Sequence, residues 1–149
     1  MADAATITIS SVILPDEIQK TITGGTLTYT PADFNDKWYF KITTVSGTTS
    51  TQLINGSLMS EELVASAHDT VTADTDLVKF LYIKNTSSDK TVYLTLDGTT
   101  VTSTSKDAII IGPGETWVAK LQCEVEELLS IASSGSAVCN VAAIIDDGG

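Results

Sequence analysis

The sequence predicts an all-β protein: an antiparallel β-sandwich of about nine or ten short strands, with a jelly roll as one way of wiring them. Three observations lead there. Threonine, valine and isoleucine make up 48 of the 149 residues. Such β-branched side chains suit a pleated, half-buried surface and lose rotamer freedom in a helix. Arginine is absent, and methionine, glutamine and lysine are scarce, which removes most of the residues that favour helices. Apolar positions alternate in short runs, broken by turn residues at intervals of roughly 8–12, the spacing of a sandwich or barrel. No repeat of fixed period is present, which argues against a propeller or solenoid.

Ala5 to Ser11 alternates, with Ile7 and Ile9 on one side and Thr6, Thr8 and Ser10 on the other. That is the period of a strand buried on one face. Pro15-Asp16-Glu17 and Gly24-Gly25 break the pattern, and Leu27 and Tyr29 resume it. Residues 1–30 are more polar and more interrupted than the rest. They read either as first strands or as an arm that docks on a neighbour, with Ile7, Ile9, Val12, Ile13 and Leu14 as the candidate contact residues. Residues 31–149 then form the sandwich domain.

After a loop from Pro31 to Asp36, Trp38, Phe40 and Ile42 alternate with Lys37, Tyr39 and Lys41. Trp38 shares its face with apolar neighbours and is expected in the core, while Tyr39 falls on the polar face and is a candidate surface residue. Ser46 to Ser50 is a polar turn around Gly47. Asn55-Gly56 signals a tight turn, so a hairpin is expected between Gln52-Leu53-Ile54 and Leu58-Met59. Ser60 to Ala67 reads as a short capped helix or, slightly better, as a strand through Leu63, Ala65 and Ala67. His68 to Asp76 reads as an exposed acidic loop.

Leu77 to Lys84 is apolar on both sides, the pattern of an interior strand covered on both faces. Val92, Leu94 and Leu96 form a half-buried strand ended by Asp97-Gly98. Ala108 to Ile111 is a short buried strand, and Gly112-Pro113-Gly114-Glu115 a compact turn. Trp117, Ala119, Leu121 and Cys123 share one face of the next strand, so core packing is expected for Trp117. Glu124 to Glu127 disturbs the alternation as a bulge or a sheet corner would. Leu128 to Ala132 resumes it, Ser133 to Ser136 turns the chain, and Ala137, Cys139, Val141, Ala143 and Ile145 line one side of the last strand.

The charge excludes several classes of function. With 19 acidic and 8 basic residues the net charge is -11, and every basic residue is lysine. Arginine's fork is the usual means of gripping phosphate at two points, so direct nucleic-acid binding is disfavoured, as is an anionic membrane surface. The N-terminus shows no signal-peptide pattern, and no apolar run approaches the roughly 18–20 residues that span a bilayer.

Chemistry-bearing constellations are thin. His68 is the only histidine, in a polar loop and without a nucleophile elbow elsewhere. Most carboxylates fall in turns or at strand ends, as on a solubilising surface, rather than paired inside an apolar face for acid/base work. Asp69, Asp74 and Asp76 could offer oxygens to calcium, but the rest of an EF-hand loop is missing. Asn55-Gly56-Ser57 and Asn85-Thr86-Ser87 match the glycosylation sequon and read as turns. Cys123 and Cys139 read as small buried apolar residues, and a disulfide between them requires neighbouring strands in register. No zinc spacing and no cofactor motif is present, and the sequence is read as non-enzymatic. Tyr93, like Tyr39, lies on a polar face and is a candidate surface aromatic.

Within residues 78–145, four segments form a pattern: Phe80 to Thr86, ending in Lys-Asn-Thr; Val92 to Gly98, ending in Asp-Gly; Ile109 to Glu115, ending in Gly-Pro-Gly-Glu; and the closing strand pair around Ser133 to Ser136. This pattern resembles one found in small virion proteins of tailed bacteriophages. The resemblance implies a β-sandwich building block, of the capsid decoration (cement) type or from a tail, baseplate or fibre. It implies the major capsid protein as partner, a position on the outer surface of the virion, and self-association, with a homotrimer as the expected oligomer. It lends no catalytic residue. The acid surplus suits a component present in many soluble copies. A carbohydrate-binding module remains the alternative of a different class, and would show exposed aromatics in a row on one sheet.

Overall fold

The computed structural model describes residues 4–8, 25–32, 36–58 and 70–147. The chain divides into two compact units, Met1–Ala32 and Asp33–Gly149. In the first, β1 (Ala5–Thr8) pairs antiparallel with β2 (Thr26–Tyr29), Ala5 opposite Tyr29 and Ile7 opposite Leu27. These two strands form a sheet of their own and belong to neither sheet of the second unit. Ile7 is half-buried there. Ile9, Val12, Ile13 and Leu14 lie outside the described residues, as do Met59, the Ser60 to Ala67 segment, His68 and Asp69.

The second unit is a sandwich of two four-stranded antiparallel sheets. Its strands are β3 (Asp36–Ser46), β4 (Thr51–Gln52), β5 (Leu77–Asn85), β6 (Val92–Leu96), β7 (Ile109–Ile111), β8 (Thr116–Glu124), β9 (Leu128–Ala132) and β10 (Ser136–Asp146). One sheet runs β3-β10-β5-β8 and the other β4-β9-β6-β7. Four of the pairs, β6–β7, β5–β8, β4–β9 and β3–β10, join strands equally far, in chain order, from the β6–β7 link, and from β3 to β10 successive strands switch sheets everywhere but at that link. The result is a long antiparallel ribbon wound up on itself, which is the jelly-roll wiring. The described residues form ten strands, as the sequence predicts, and the only helical turn among them is the 3-10 turn Val125–Glu127 at the corner between β8 and β9.

The core lies between the sheets. Ala137, Cys139, Val141, Ala143 and Ile145 of β10 face Val78, Leu81 and Ile83 of β5 in register, and meet Val92, Leu94, Ile111, Leu128 and Ala132 from the other sheet. The small residues of β10 sit beside the larger ones of β5, Val141 opposite Ile83 and Ala143 opposite Leu81. Trp117, Leu121 and Cys123 pack against this cluster from the edge strand β8, as expected.

Two thiols are free, and they are not candidates for pairing: β5 separates β8, with Cys123, from β10, with Cys139. Burial pushes both up to about 11, with Glu127 adding to the effect at Cys123. Burial likewise raises the Tyr39 phenol, against a smaller opposing effect of the Asn55 backbone. In the unfolded chain the thiols ionise from about pH 9. Between that pH and about 11 the unfolded state therefore holds fewer protons than the folded one, and stability falls as pH rises. For Cys139 the full effect is about 2–3 kcal/mol. Denaturation midpoints measured across this range should fall steeply, and Cys139→Val should flatten the decline. An unchanged slope in that variant would show that the thiol is not the group responsible.

The hairpin expected across Asn55-Gly56 does not form as drawn. β4 stops at Gln52, and Leu53 and Ile54 turn inward and are fully buried. Gly56 takes φ +95°, and beyond it Ser57 makes a single bridge to Thr70. The core wins over the hairpin here, because two large apolar side chains gain more from the inter-sheet space than from a strand ladder at the rim.

Candidate interaction surface

The strongest departure from the sequence reading is the orientation of β3. Tyr39, expected on a polar surface, is 1% exposed and belongs to the core, whereas Phe40 and Ile42 are 54% and 64% exposed. Trp38 is half-buried on that same outward face rather than between the sheets. The physical reason lies in what surrounds the polar ends of the inward residues. The Tyr39 hydroxyl donates to Asn55 O at 3.1 Å and accepts from Asn55 N at 3.3 Å, so its ring can be buried with its oxygen satisfied. Lys41, at the same side of the strand, reaches the rim and donates to Asn55 Oδ1 and O.

Strand register lays out the outward face of the β3-β10-β5-β8 sheet in rows. Ile42, Asn140, Lys84 and Thr116 form one row; Phe40, Ala142, Tyr82 and Val118 the next; Trp38, Ile144, Phe80 and Lys120 the third. Val138, 39% exposed and opposite Thr44, adjoins the first row. Ile144 and Phe80, in the third row, are buried although they face away from the inter-sheet core. Phe40, Ile42 and Val138 therefore form one exposed apolar patch beside the edge strand. The rows from Thr44 to Trp38 contain two lysines and no carboxylate, in a chain of net charge -11. The first acids appear past Trp38, where Asp36 stands opposite Asp146 and Lys79 Nζ lies 3.1 Å from Asp146 Oδ2.

The opposite face of the sandwich has a smaller apolar row, Ile131, Tyr93 and Ile110, with Ile110 65% exposed. The short strand β7, read from sequence as buried, is thus an edge strand with its central residue outside. Tyr93 is half-buried in this row rather than standing on a polar face.

The acidic loop also needs correction. Asp74 is exposed, but Asp76 is fully buried. Its Oδ2 accepts from Thr72 N at 2.8 Å while its own N donates to Thr72 O at 3.0 Å, a reciprocal clamp on the turn that enters β5. Among the described residues no three His, Cys, Asp or Glu side chains converge on a common point; Asp69, the third acid of the calcium candidate, lies outside the described residues.

The turn motifs hold the corners. Asn85 is fully buried, and its Nδ2 faces three carbonyl oxygens, those of Lys90 at 2.7 Å, Ile111 at 3.1 Å and Gly112 at 3.0 Å. Its Oδ1 accepts from Ser87 N at 3.1 Å. An amide in this position cannot carry a glycan. At Asp97-Gly98, Thr99 N donates to Asp97 Oδ1, and Gly98 takes φ +71°. In the Gly-Pro-Gly-Glu corner, Gly112 N donates to Glu115 Oε2 at 2.7 Å. No protein-family model, no curated protein and no solved structure matches the chain.

Proposed function

We propose that this is a structural virion protein, a capsid decoration protein that binds the outer surface of a phage head and stabilises it, and that the Phe40–Ile42–Val138 face is its contact with the major capsid protein. The observation that carries this reading is the acid-free apolar patch itself. Exposed large apolar side chains scattered singly are ordinary, but a contiguous group marks a contact surface. Here three of the four exposed large apolar side chains among the described residues lie together, while the acid surplus is kept off the patch and serves solubility elsewhere. The jelly-roll wiring is compatible, since it occurs in capsid components, but it also occurs in lectins, so the surface and not the fold bears the weight. Self-association, as a trimer, belongs to the same proposal.

The test is to add the purified chain to heads that lack it and measure bound copies. Saturable binding with a copy number in the hundreds is expected. Ile42→Glu should weaken binding at least about tenfold, a loss of about 1.4 kcal/mol, and should leave the unfolding midpoint within about 0.5 kcal/mol of the parent because the side chain is already in water. Unaltered binding would remove this face from the proposal. A dozen copies or fewer would move the protein to a tail, baseplate or fibre. Deleting residues 1–14 tests the arm, and full occupancy after deletion would eliminate it.

One observation favours a carbohydrate-binding module as the second reading: Trp38, Phe40 and Tyr82 share the outward face. Sugar recognition also needs hydrogen-bonding groups beside the rings, and the three rows offer few besides Asn140 and Lys84. A glycan array separates the two readings, with hits lost in Phe40→Ala supporting sugar binding.

A further inference from the structure

Lys41 does something at the Asn55–Gly56 turn that a turn does not require. From β3 its Nζ donates to Asn55 Oδ1 at 2.6 Å and to the backbone oxygen of the same residue at 3.2 Å. One ammonium thus holds both oxygens of Asn55, the residue bonded to Gly56 N. The surrounding backbone is pinned. Tyr39 Oη bonds both Asn55 O and Asn55 N, and Val71 N donates to Gly56 O at 2.8 Å. Residue 56 is a glycine at φ +95°, with no side chain to shield its nitrogen, and a Cβ built there would lie 3.5 Å from Lys41 Nζ. Lys41, Asn55 and Gly56 are all exposed, so water reaches the group.

We propose that Asn55 is a self-modification site, at which Gly56 N attacks Asn55 Cγ under the influence of Lys41 to give a cyclic imide and then, with water, aspartate or isoaspartate. In the first step the N–Cγ bond forms, the Gly56 amide proton passes to solvent, and the side-chain nitrogen takes up a proton and leaves as ammonia. In the second, water adds to one of the two imide carbonyls and the C–N bond to that carbon breaks, which yields a carboxylate and restores an N–H. No oxidant or reductant is involved. Negative charge develops on Oδ1 during the attack, and Lys41 is a donor already aimed at that oxygen. The fold holds the reacting side chain in place beforehand, which removes part of the entropic barrier. A protonated ammonium has no lone pair to offer, so Lys41 polarises the amide rather than attacking it. An aspartate product at position 55 meets the same Nζ and turns the existing hydrogen bond between β3 and the β4–β5 connection into an ion pair. This modification is independent of the assembly role proposed above.

The experiment is intact-mass measurement and peptide mapping of the full folded chain during incubation at neutral to mildly alkaline pH, beside Lys41→Met, Lys41→Arg and the parent in denaturant. Asn55 should convert in the folded parent, with the mass change of an amide becoming an acid. Conversion should slow about tenfold in Lys41→Met, recover in Lys41→Arg, and slow in denaturant, where Lys41 is no longer held at the amide. Circular dichroism confirms that each variant is folded. Equal rates in the parent and Lys41→Met, or no conversion at all, would overturn the proposal. So would a lasting loss of ammonia with Lys41 and Asn55 joined in one peptide, since that product requires lysine to act as the nucleophile.

Discussion

Asn85→Asp should remove about 4 kcal/mol of stability at neutral pH, the largest effect expected of any single polar substitution in the sandwich. The native amide donates toward the carbonyls of Lys90, Ile111 and Gly112 from a fully buried site. A carboxylate of the same shape would turn two donors into an acceptor, facing three oxygens with no compensating cation nearby in the bonded set. Burying such a charge unpaired is far more costly than losing the bonds alone. Asn85→Leu, which leaves the carbonyls unsatisfied but adds no charge, should cost about 3 kcal/mol. The two variants separate electrostatics from lost hydrogen bonds, because only the aspartate variant should regain stability as pH falls and the carboxyl takes up a proton. Urea unfolding at several pH values measures this. Equal losses in both variants at all pH values would mean that the amide's hydrogen bonds, and not the sign of the group, set the effect.

Gly47→Ala should cost about 3 kcal/mol or more, although it adds a single methyl group. A Cβ at this position would stand 2.5 Å from the carbonyl carbon of Ser134, 2.6 Å from Gly135 N and 2.7 Å from Gly135 O. All three atoms are backbone and cannot swing aside as a side-chain end would. Gly47 N also donates to Gly135 O at 2.6 Å, so the β3–β4 corner is held directly against the β9–β10 turn. Relieving the clash would pull that hydrogen bond apart. Gly114→Ala is the control: nothing lies within 4 Å of its added Cβ, and only the φ of +75° resists it, which costs about 1 kcal/mol. Thermal unfolding of the two variants side by side decides the matter. If both lose the same amount, steric contact at Gly47 contributes nothing beyond backbone strain.

These corners explain why the turn motifs are legible in the sequence. Lys-Asn-Thr, Asp-Gly and Gly-Pro-Gly-Glu each satisfy a demand of the fold: a buried amide facing carbonyls, a left-handed glycine after an Asx-type bond, and a glutamate accepting from its own corner. Any sandwich with the same corners would favour the same residues. The motifs therefore speak to architecture, and the functional reading rests on the outward face instead.

That face was the least legible part. From periodicity alone, Trp38, Phe40 and Ile42 look like a core stripe, and Lys37, Tyr39 and Lys41 like its solvent side. Alternation identifies two faces of a strand but does not say which of them is covered. The choice is made by partners far away in the chain. Asn55 satisfies the Tyr39 hydroxyl, and Ala143 of β10 stands beside Tyr39 and leaves room for its ring. β5 reads differently because both of its faces are apolar, so either orientation gives the same prediction of an interior strand.

By itself, the sequence determined the fold class, the positions of most strands from Leu77 onward and the turns between them, because β-branching, alternation and turn chemistry are local properties. Only the tertiary structure decided the strand order, the inward turn of Tyr39, the burial of Asp76 and Asn85, and the exposure of Phe40 and Ile42. Each of these depends on which remote backbone atoms arrive to satisfy a polar group or cover an apolar one, and that is settled by how the ribbon winds up rather than by any residue's neighbours in the chain.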